Sequence, residues 1–339
     1  MMSLPALAAS LYGQAKYAAI LIDNDTGEVL YARQADTLRA PASITKVMTL
    51  YVAFEDMAAG RLREDDRITV SKHAARQDPS KIWLRPGSSI SVRDAIGTIA
   101  TRSANDAAVA LAEHIAGSED AFAERMSATA RRLGMTQTRF VNASGLSDSR
   151  HLTTARDIAV LSRAMIRDFP VLYPVFSQTS YAYRGQAIAN HNHLLKTMAG
   201  VDGIKTGFTQ TAGFTLAASA VQNGKRLIAV VLGGPSRMGR DSNVGELLSI
   251  GFDVLNRRRL GIETTVAANF AEPDDLSDSV MDRLATILAP DAAVVLAGTP
   301  LPPLQPGGQA GSGAVMGLGT AMAAANAMSN SALLTYPPR

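Results

Sequence analysis

Strand-like sequence in this chain sits in two widely separated stretches, with helical sequence between them. Residues 18–32 read as a hairpin: 18–22 is apolar, Asp23-Asn24-Asp25-Thr26-Gly27 is a turn, and 29–31 is apolar again. Strand character returns at 201–208, 214–221 and 227–232, and Asn223-Gly224 between the last two is a strong hairpin signal. From Val92 to about Phe169 the pattern is helical, with segments 92–101, 106–116, 121–133 and 155–167 broken by Gly117, Gly134 and Gly145. Asp120 and Thr154 are the expected N-caps. A closing helix over 244–257 places Val244, Leu247, Leu248, Gly251 and Leu255 on one face. This distribution predicts an α+β fold: one antiparallel sheet built from both ends of the sequence, flanked by helices, with a helical subdomain (92–169) inserted in the middle.

One further helix, 42–58, is entered after Pro41 and ended by Gly60. Its apolar positions Val47, Met48, Tyr51, Val52 and Phe54 leave little polar face, which predicts a buried central helix. At its start, Ser43 and Lys46 stand one helical turn apart and project from the same face. A serine hydroxyl is a poor nucleophile at neutral pH. A lysine amine that is desolvated, or set beside another cation, holds the neutral form and can take the hydroxyl proton. Such a pair needs no histidine.

The 339 residues suffice for one large domain or two ordinary ones, and 47% hydrophobic with 19% charged residues is globular composition. The formal charge is +3, yet residues 261–339 hold two basic and seven acidic side chains, so the positive charge lies in 1–260. Nothing clusters as a nucleic-acid-binding arm would, and aromatics are sparse; a carboxylate-bearing substrate fits the basic body better. The absence of cysteine excludes thiolate catalysis, disulfides and cysteine metal sites. Residues 1–15 have two readings, the remnant of a signal peptide without its basic n-region or an ordinary flexible terminus. The first implies export to the periplasm or an equivalent compartment. No stretch is long and apolar enough to span a membrane. The expected domain is 16–260. Beyond it comes an acidic, then Pro/Gly/Ala-rich extension, with a short helix at 280–288, a linker and a small-residue apolar tail without a basic face for a lipid surface.

A lone Ser-x-x-Lys is common by chance, but here it has two companions in a fixed order: Ser103-Ala104-Asn105 in a helix break, and Lys205-Thr206-Gly207 in a late strand. Ser-x-x-Lys, Ser-Asp-Asn and Lys-Thr-Gly together mark penicillin-binding proteins and class A β-lactamases, and Ser-Ala-Asn is a variation on the second. The chain resembles the serine D-alanyl-D-alanine carboxypeptidases, low-molecular-mass penicillin-binding proteins of peptidase family S11. The similarity runs from about Ala18 to Arg258 and includes Leu133-Gly134-Met135, Ser144-Gly145-Leu146, Asn192 with Leu194-Leu195, and 202–209. The resemblance implies a β-lactamase/transpeptidase-like fold and removal of the terminal D-alanine from peptidoglycan stem pentapeptides. It implies Ser43 as nucleophile, Lys46 as its base, and Ser103 as a proton relay toward the leaving D-alanine. Asn105 is then expected to hold the substrate amide and the Lys46 amine, Lys205, Thr206 and Arg240 the terminal carboxylate, and the Ser43 and Phe208 N–H groups, beside Gly207, the oxyanion. β-Lactams are the implied covalent inhibitors, and no cofactor or metal is called for.

Two rival functions stay open at this stage: a serine β-lactamase on the same fold, and a non-hydrolytic penicillin-recognising sensor or cell-wall scaffold. Other candidates are weaker. His191-Asn192-His193 lacks paired acidic or cysteine ligands for zinc, and Asn192 is expected to face the cleft. Asn142-Ala143-Ser144 reads as a turn near the cleft rather than a glycosylated site or a rival nucleophile. Trp83 and the Arg85-Pro86-Gly87 turn edge the site, or Trp83 is a core residue.

Overall fold

The computed structural model describes residues 16–270 and Leu301. The signal-peptide reading of 1–15, the helix at 280–288, and all of the expected linker and apolar tail except Leu301 lie outside the described residues.

The two strand-rich stretches do build one sheet. Strands β1 (Ala18–Asp23) and β2 (Val29–Arg33) come from the start of the chain; β7 (Val201–Thr209), β8 (Gly213–Gln222) and β9 (Lys225–Gly234) come from its later part. Their order is β2-β1-β9-β8-β7, all antiparallel, with Leu21 opposite both Tyr31 and Ala229. The side-chain period of two divides this sheet between two cores. Ile20, Ile22, Ile228, Val230 and Leu232 enter one, while Ala19, Leu21, Leu227, Ala229 and Val231 enter the other. The second is closed by the long helix α8 (Arg237–Arg259) through Val244, Leu247 and Leu248.

Between the strand groups lie α1 (Thr45–Ala58), β3 (Arg67–Thr69), α2 (Lys72–Arg76), β4 (Ser89–Ser91), α3 (Val92–Arg102), α4 (Asn105–Ala116), α5 (Glu119–Leu133), α6 (Ala155–Asp168), β5 (Ser180–Tyr183), β6 (Gln186–Ala189) and α7 (Leu194–Thr197). Helix α1 is buried at every position except Glu55 and Ala58, and it runs through the larger core as its periodicity requires. Several local details differ from the sequence expectation. Residues 42–44 form a 3-10 turn rather than the first α-turn. The cap of α5 is Ser118, whose hydroxyl accepts from the Ala121 N–H, whereas Asp120 lies inside the first turn. Thr154 caps α6 as expected, accepting from the Asp157 N–H. Helix α8 starts seven residues before the expected Val244, because Ser236 caps it. The body also continues past Leu260: α9 (Val266–Asn269) leads to Phe270, whose ring packs edge-on against Tyr31 with centroids 5.3 Å apart.

Candidate active site

Ser43 lies in the 3-10 turn Ala42–Ile44, and Lys46 in the first turn of α1. Their side chains meet as the spacing predicts, Nζ to Oγ 3.0 Å. The same amine lies 2.6 Å from Asn105 Oδ1 and 2.5 Å from the main-chain oxygen of Ser144. Asn105 cannot present its amide the other way round, because its Nδ2 donates to the carbonyl of Asp78 at 2.7 Å. Two of the three groups facing Nζ are therefore pure acceptors. A neutral amine can donate to both through its two N–H groups and turn its lone pair to Ser43 Oγ, whereas an ammonium can donate to all three. Electrostatics favours the first: burial, and then the Lys205 charge, hold the Lys46 amine well below the ordinary lysine range.

Ser103 closes α3 in the left-handed region at φ +62°, which turns the chain sharply before α4. Its hydroxyl is buried and without a partner among the described residues. Asn105 is the first residue of α4 rather than part of the break itself. On the opposite side runs β7, the edge strand of the sheet. Lys205 is buried, with Nζ donating to the Thr206 carbonyl at 3.0 Å. Burial, then the nearby Arg240, pushes its amine down to about 7. Gly207 brings the strand against the Ser43 turn. Phe208 is exposed and stacks on Phe214 with centroids 4.3 Å apart. Arg240 reaches in from α8, where its Nη1 donates to the Thr215 carbonyl at 3.0 Å and its Nε to Asp241 at 2.9 Å.

These groups surround one cleft of about 430 Å³. Ser43, Ser103, Asn105, Thr206, Gly207, Phe208 and Arg240 all line it, whereas the buried Lys205 is not among its lining residues. Lys81, Arg102, His191, His193 and Arg237 line it too, and no Asp or Glu does among the described residues. Sequence reasoning missed Arg102 and Arg237, although one precedes Ser103 and the other stands one helical turn before Arg240. It also missed the Ser144 carbonyl, which no side-chain pattern announces. Asn192 is a correction: it is buried rather than facing the cleft. Its Nδ2 donates to the Gly203 carbonyl and its Oδ1 accepts from the Leu194 N–H, so it braces β7 while its two histidine neighbours line the opening. Burial, with Lys205 and Arg102, pushes the His191 imidazole down to about 4. Trp83 belongs to the cleft wall, exposed, and is no core residue.

A helix-flanked antiparallel sheet with this cleft between its edge strand and a helical subdomain is the penicillin-binding, transpeptidase-like fold. The crystal structure of penicillin-binding protein 5 from Haemophilus influenzae superposes with a TM-score of 0.67 at 36% identity, over 70% of this chain and 70% of that one. Penicillin-binding protein D2 from Listeria monocytogenes, in its ampicillin-bound form, superposes at 0.61 and 32% identity, over 69% of this chain and 96% of that one. The chain belongs to the D-alanyl-D-alanine carboxypeptidase family, whose model matches residues 8–236. Among curated relatives it is 39% identical to the D-alanyl-D-alanine carboxypeptidase DacA of Escherichia coli over 254 residues, 72% of this chain and 63% of that protein. The chain spans 61–63% of the length of such relatives.

Proposed function

We propose that the chain is a serine D-alanyl-D-alanine carboxypeptidase, acting outside the cytoplasmic membrane on peptidoglycan stem pentapeptides. The observation that carries this reading is the buried Lys46 amine 3.0 Å from Ser43 Oγ, where burial and the Lys205 charge favour its neutral form. Ser43 Oγ attacks the carbonyl of the terminal peptide bond while its proton passes to Lys46. The oxyanion is held by the main-chain N–H groups of Ser43 and Phe208. The proton then returns through Ser103, whose hydroxyl has no partner among the described residues, to the amine of the departing D-alanine. Lys205, Thr206 and Arg240 hold the carboxylate of that residue, and Asn105 the amide on the acyl side. Water completes the cycle by hydrolysing the ester on Ser43.

β-Lactams acylate Ser43 in the same way and, lacking a departing fragment, stay attached. Fast hydrolysis of that adduct, as in a β-lactamase, asks for a base beside the ester; the cleft lining offers no carboxylate for it among the described residues. No helix among the described residues is long and apolar enough to cross a membrane. The test is release of D-alanine from a diacyl-D-alanyl-D-alanine peptide. The wild-type chain releases it and Ser43→Ala does not, and the substitution also abolishes labelling by a fluorescent penicillin. Penicillin labelling without any D-alanine release overturns the carboxypeptidase reading in favour of a sensor; release by Ser43→Ala at the wild-type rate overturns the nucleophile.

A further inference from the structure

Trp83 is the single tryptophan of the chain, and it is 69% exposed. A large apolar side chain left in water contributes nothing to a core. Its main chain is also in the left-handed region, φ +61°, which is a strained conformation for a bulky residue. The surrounding structure imposes this conformation from several directions. Asp106 is fully buried, and its carboxylate accepts from the N–H groups on both sides of Trp83, Ile82 at 3.1 Å and Leu84 at 2.9 Å. Ser80 Oγ donates to the Arg102 carbonyl at 2.8 Å, and the Asn105 N–H donates to the Ser80 carbonyl at 2.7 Å. The segment 78–84 is thus stitched to the corner formed by Ser103, Asn105 and Asp106. Lys81 Nζ stands 4.6 Å from the indole centroid and is itself tied to the Gln77 carbonyl at 2.6 Å, which steadies the ring. A rigid mount, local strain and an exposed aromatic in the wall of the reaction cleft together describe a binding surface.

We infer that Trp83 is a specificity-determining residue, a stacking platform for a ring or flat apolar group on the acyl side of the ligand. The placement follows from Asn105, which anchors the segment and, on the reading above, holds the ligand's acyl-side amide; the inference rests on that reading. Stacking against an indole adds a modest, ring-dependent increment that a ligand without the group cannot collect.

Two penicillins separate this from a structural role: benzylpenicillin, which carries a phenylacetyl group on the acyl side, and 6-aminopenicillanic acid, which carries none. The ratio of their second-order acylation constants, followed by the mass of the adduct, falls about five- to tenfold in Trp83→Ala and recovers in Trp83→Phe. A ratio unchanged within about twofold overturns the platform, whether both constants drop together or neither moves. The second measurement needs no variant, because the tryptophan emission, excited at wavelengths that tyrosine does not absorb, comes from Trp83 alone. Benzylpenicillin shifts or quenches that emission and 6-aminopenicillanic acid leaves it unchanged; equal responses, or none, overturn the proposal. If neither penicillin forms an adduct, the acyl-enzyme reading fails instead. Emission during titration with diacyl-D-alanyl-D-alanine peptides, with and without an aromatic acyl group, then decides the platform by the same criterion.

Discussion

A Cβ placed on Gly207 would stand 2.8 Å from the main-chain nitrogen of Ser43. It would also meet Thr215 Oγ1 at 2.6 Å and Ala42 Cβ at 3.0 Å, so two of its three neighbours are parts of the Ser43 turn that cannot rotate away. The edge strand and the Ser43 turn lie so close that no side chain fits between them at this position.

Gly207→Ala therefore has to part the strand from the turn. Overpacking of this kind costs about 1–3 kcal/mol of stability. The larger effect falls on rate: a shift of about 1 Å in the nucleophile can cost about 100-fold. D-Alanine release should drop by that order while the urea midpoint moves only modestly. Activity within about twofold of wild type would show that the turn yields without consequence.

Lys205 acts on the pH profile twice, with opposite signs. Its positive charge helps keep Lys46 neutral, so Lys205→Gln lets the Lys46 amine bind its proton more readily and moves the acid limb of kcat/KM to higher pH. In the wild type, raising the pH through about 7 discharges Lys205 itself, which on the proposed carboxylate-binding role should weaken the hold on substrate. That alkaline limb disappears in Lys205→Gln, at the cost of about 10- to 100-fold in kcat/KM from the lost charge-assisted contact. Measurement of kcat/KM from pH 5 to 10 tests both limbs, and an acid limb that stays in place contradicts the coupling.

His151 makes stability pH-dependent near the nucleophile turn. Its Nδ1 accepts from the Val141 N–H at 3.3 Å, so Nε2 carries the proton and donates to Thr45 Oγ1 at 2.8 Å. Protonation of Nδ1 would set two donors face to face. Burial, and to a lesser degree Lys46, pushes the group down to about 4 in the folded chain against 6.5 for an ordinary histidine; Asp148 opposes them. Below pH 6.5 the unfolded chain takes up the proton first, so stability is complete above 6.5 and declines as the pH falls toward 4. At pH 5 the loss is about 2 kcal/mol. Urea unfolding at pH 7.5 and 5 should show that difference in the wild type and lack it in His151→Gln; equal differences in the two would remove His151 as the cause.

Phe270 tests what residues 261–270 contribute to the fold. Its ring is buried against Tyr31, and Val266 on the same short segment is fully buried. Phe270→Ala should cost about 3 kcal/mol, as other large-to-small changes in a packed site do. Chemical denaturation checks it, and a change below about 0.5 kcal/mol would mean that residues 261–270 rest on the domain without supporting it.

What the sequence made legible depended on distance along the chain. Ser43 and Lys46 could be paired because three residues of helix settle their relation whatever surrounds them, and Asn223-Gly224 marked its hairpin because two residues define that turn. The Ser144 carbonyl reaches Lys46 across 98 residues of chain and belongs to a group every residue has, so nothing in the pattern could point to it. Asn192 was misplaced for a related reason. Its Nδ2 braces β7 at Gly203, 11 residues on, and a brace and a cleft residue look alike until the strand is in position. Trp83 stayed ambiguous because an indole suits a core and a cleft wall equally. Its exposure follows from the Asp106 clamp, a contact between segments. Strands β3–β6 are three or four residues long, below the length at which alternation can be seen.

Asn105 holds the Lys46 amine with one end of its amide and the segment under Trp83 with the other. On the proposed roles, the part of the cleft that sorts ligands and the part that activates Ser43 are thereby two ends of a single lever. A change that reshapes the wall to admit a new ligand should then also turn the amide, and so retune the Lys46 amine. In such a cleft, selectivity and turnover are not independent quantities. A lineage exploring one of them, under pressure from a new inhibitor for instance, moves the other with it.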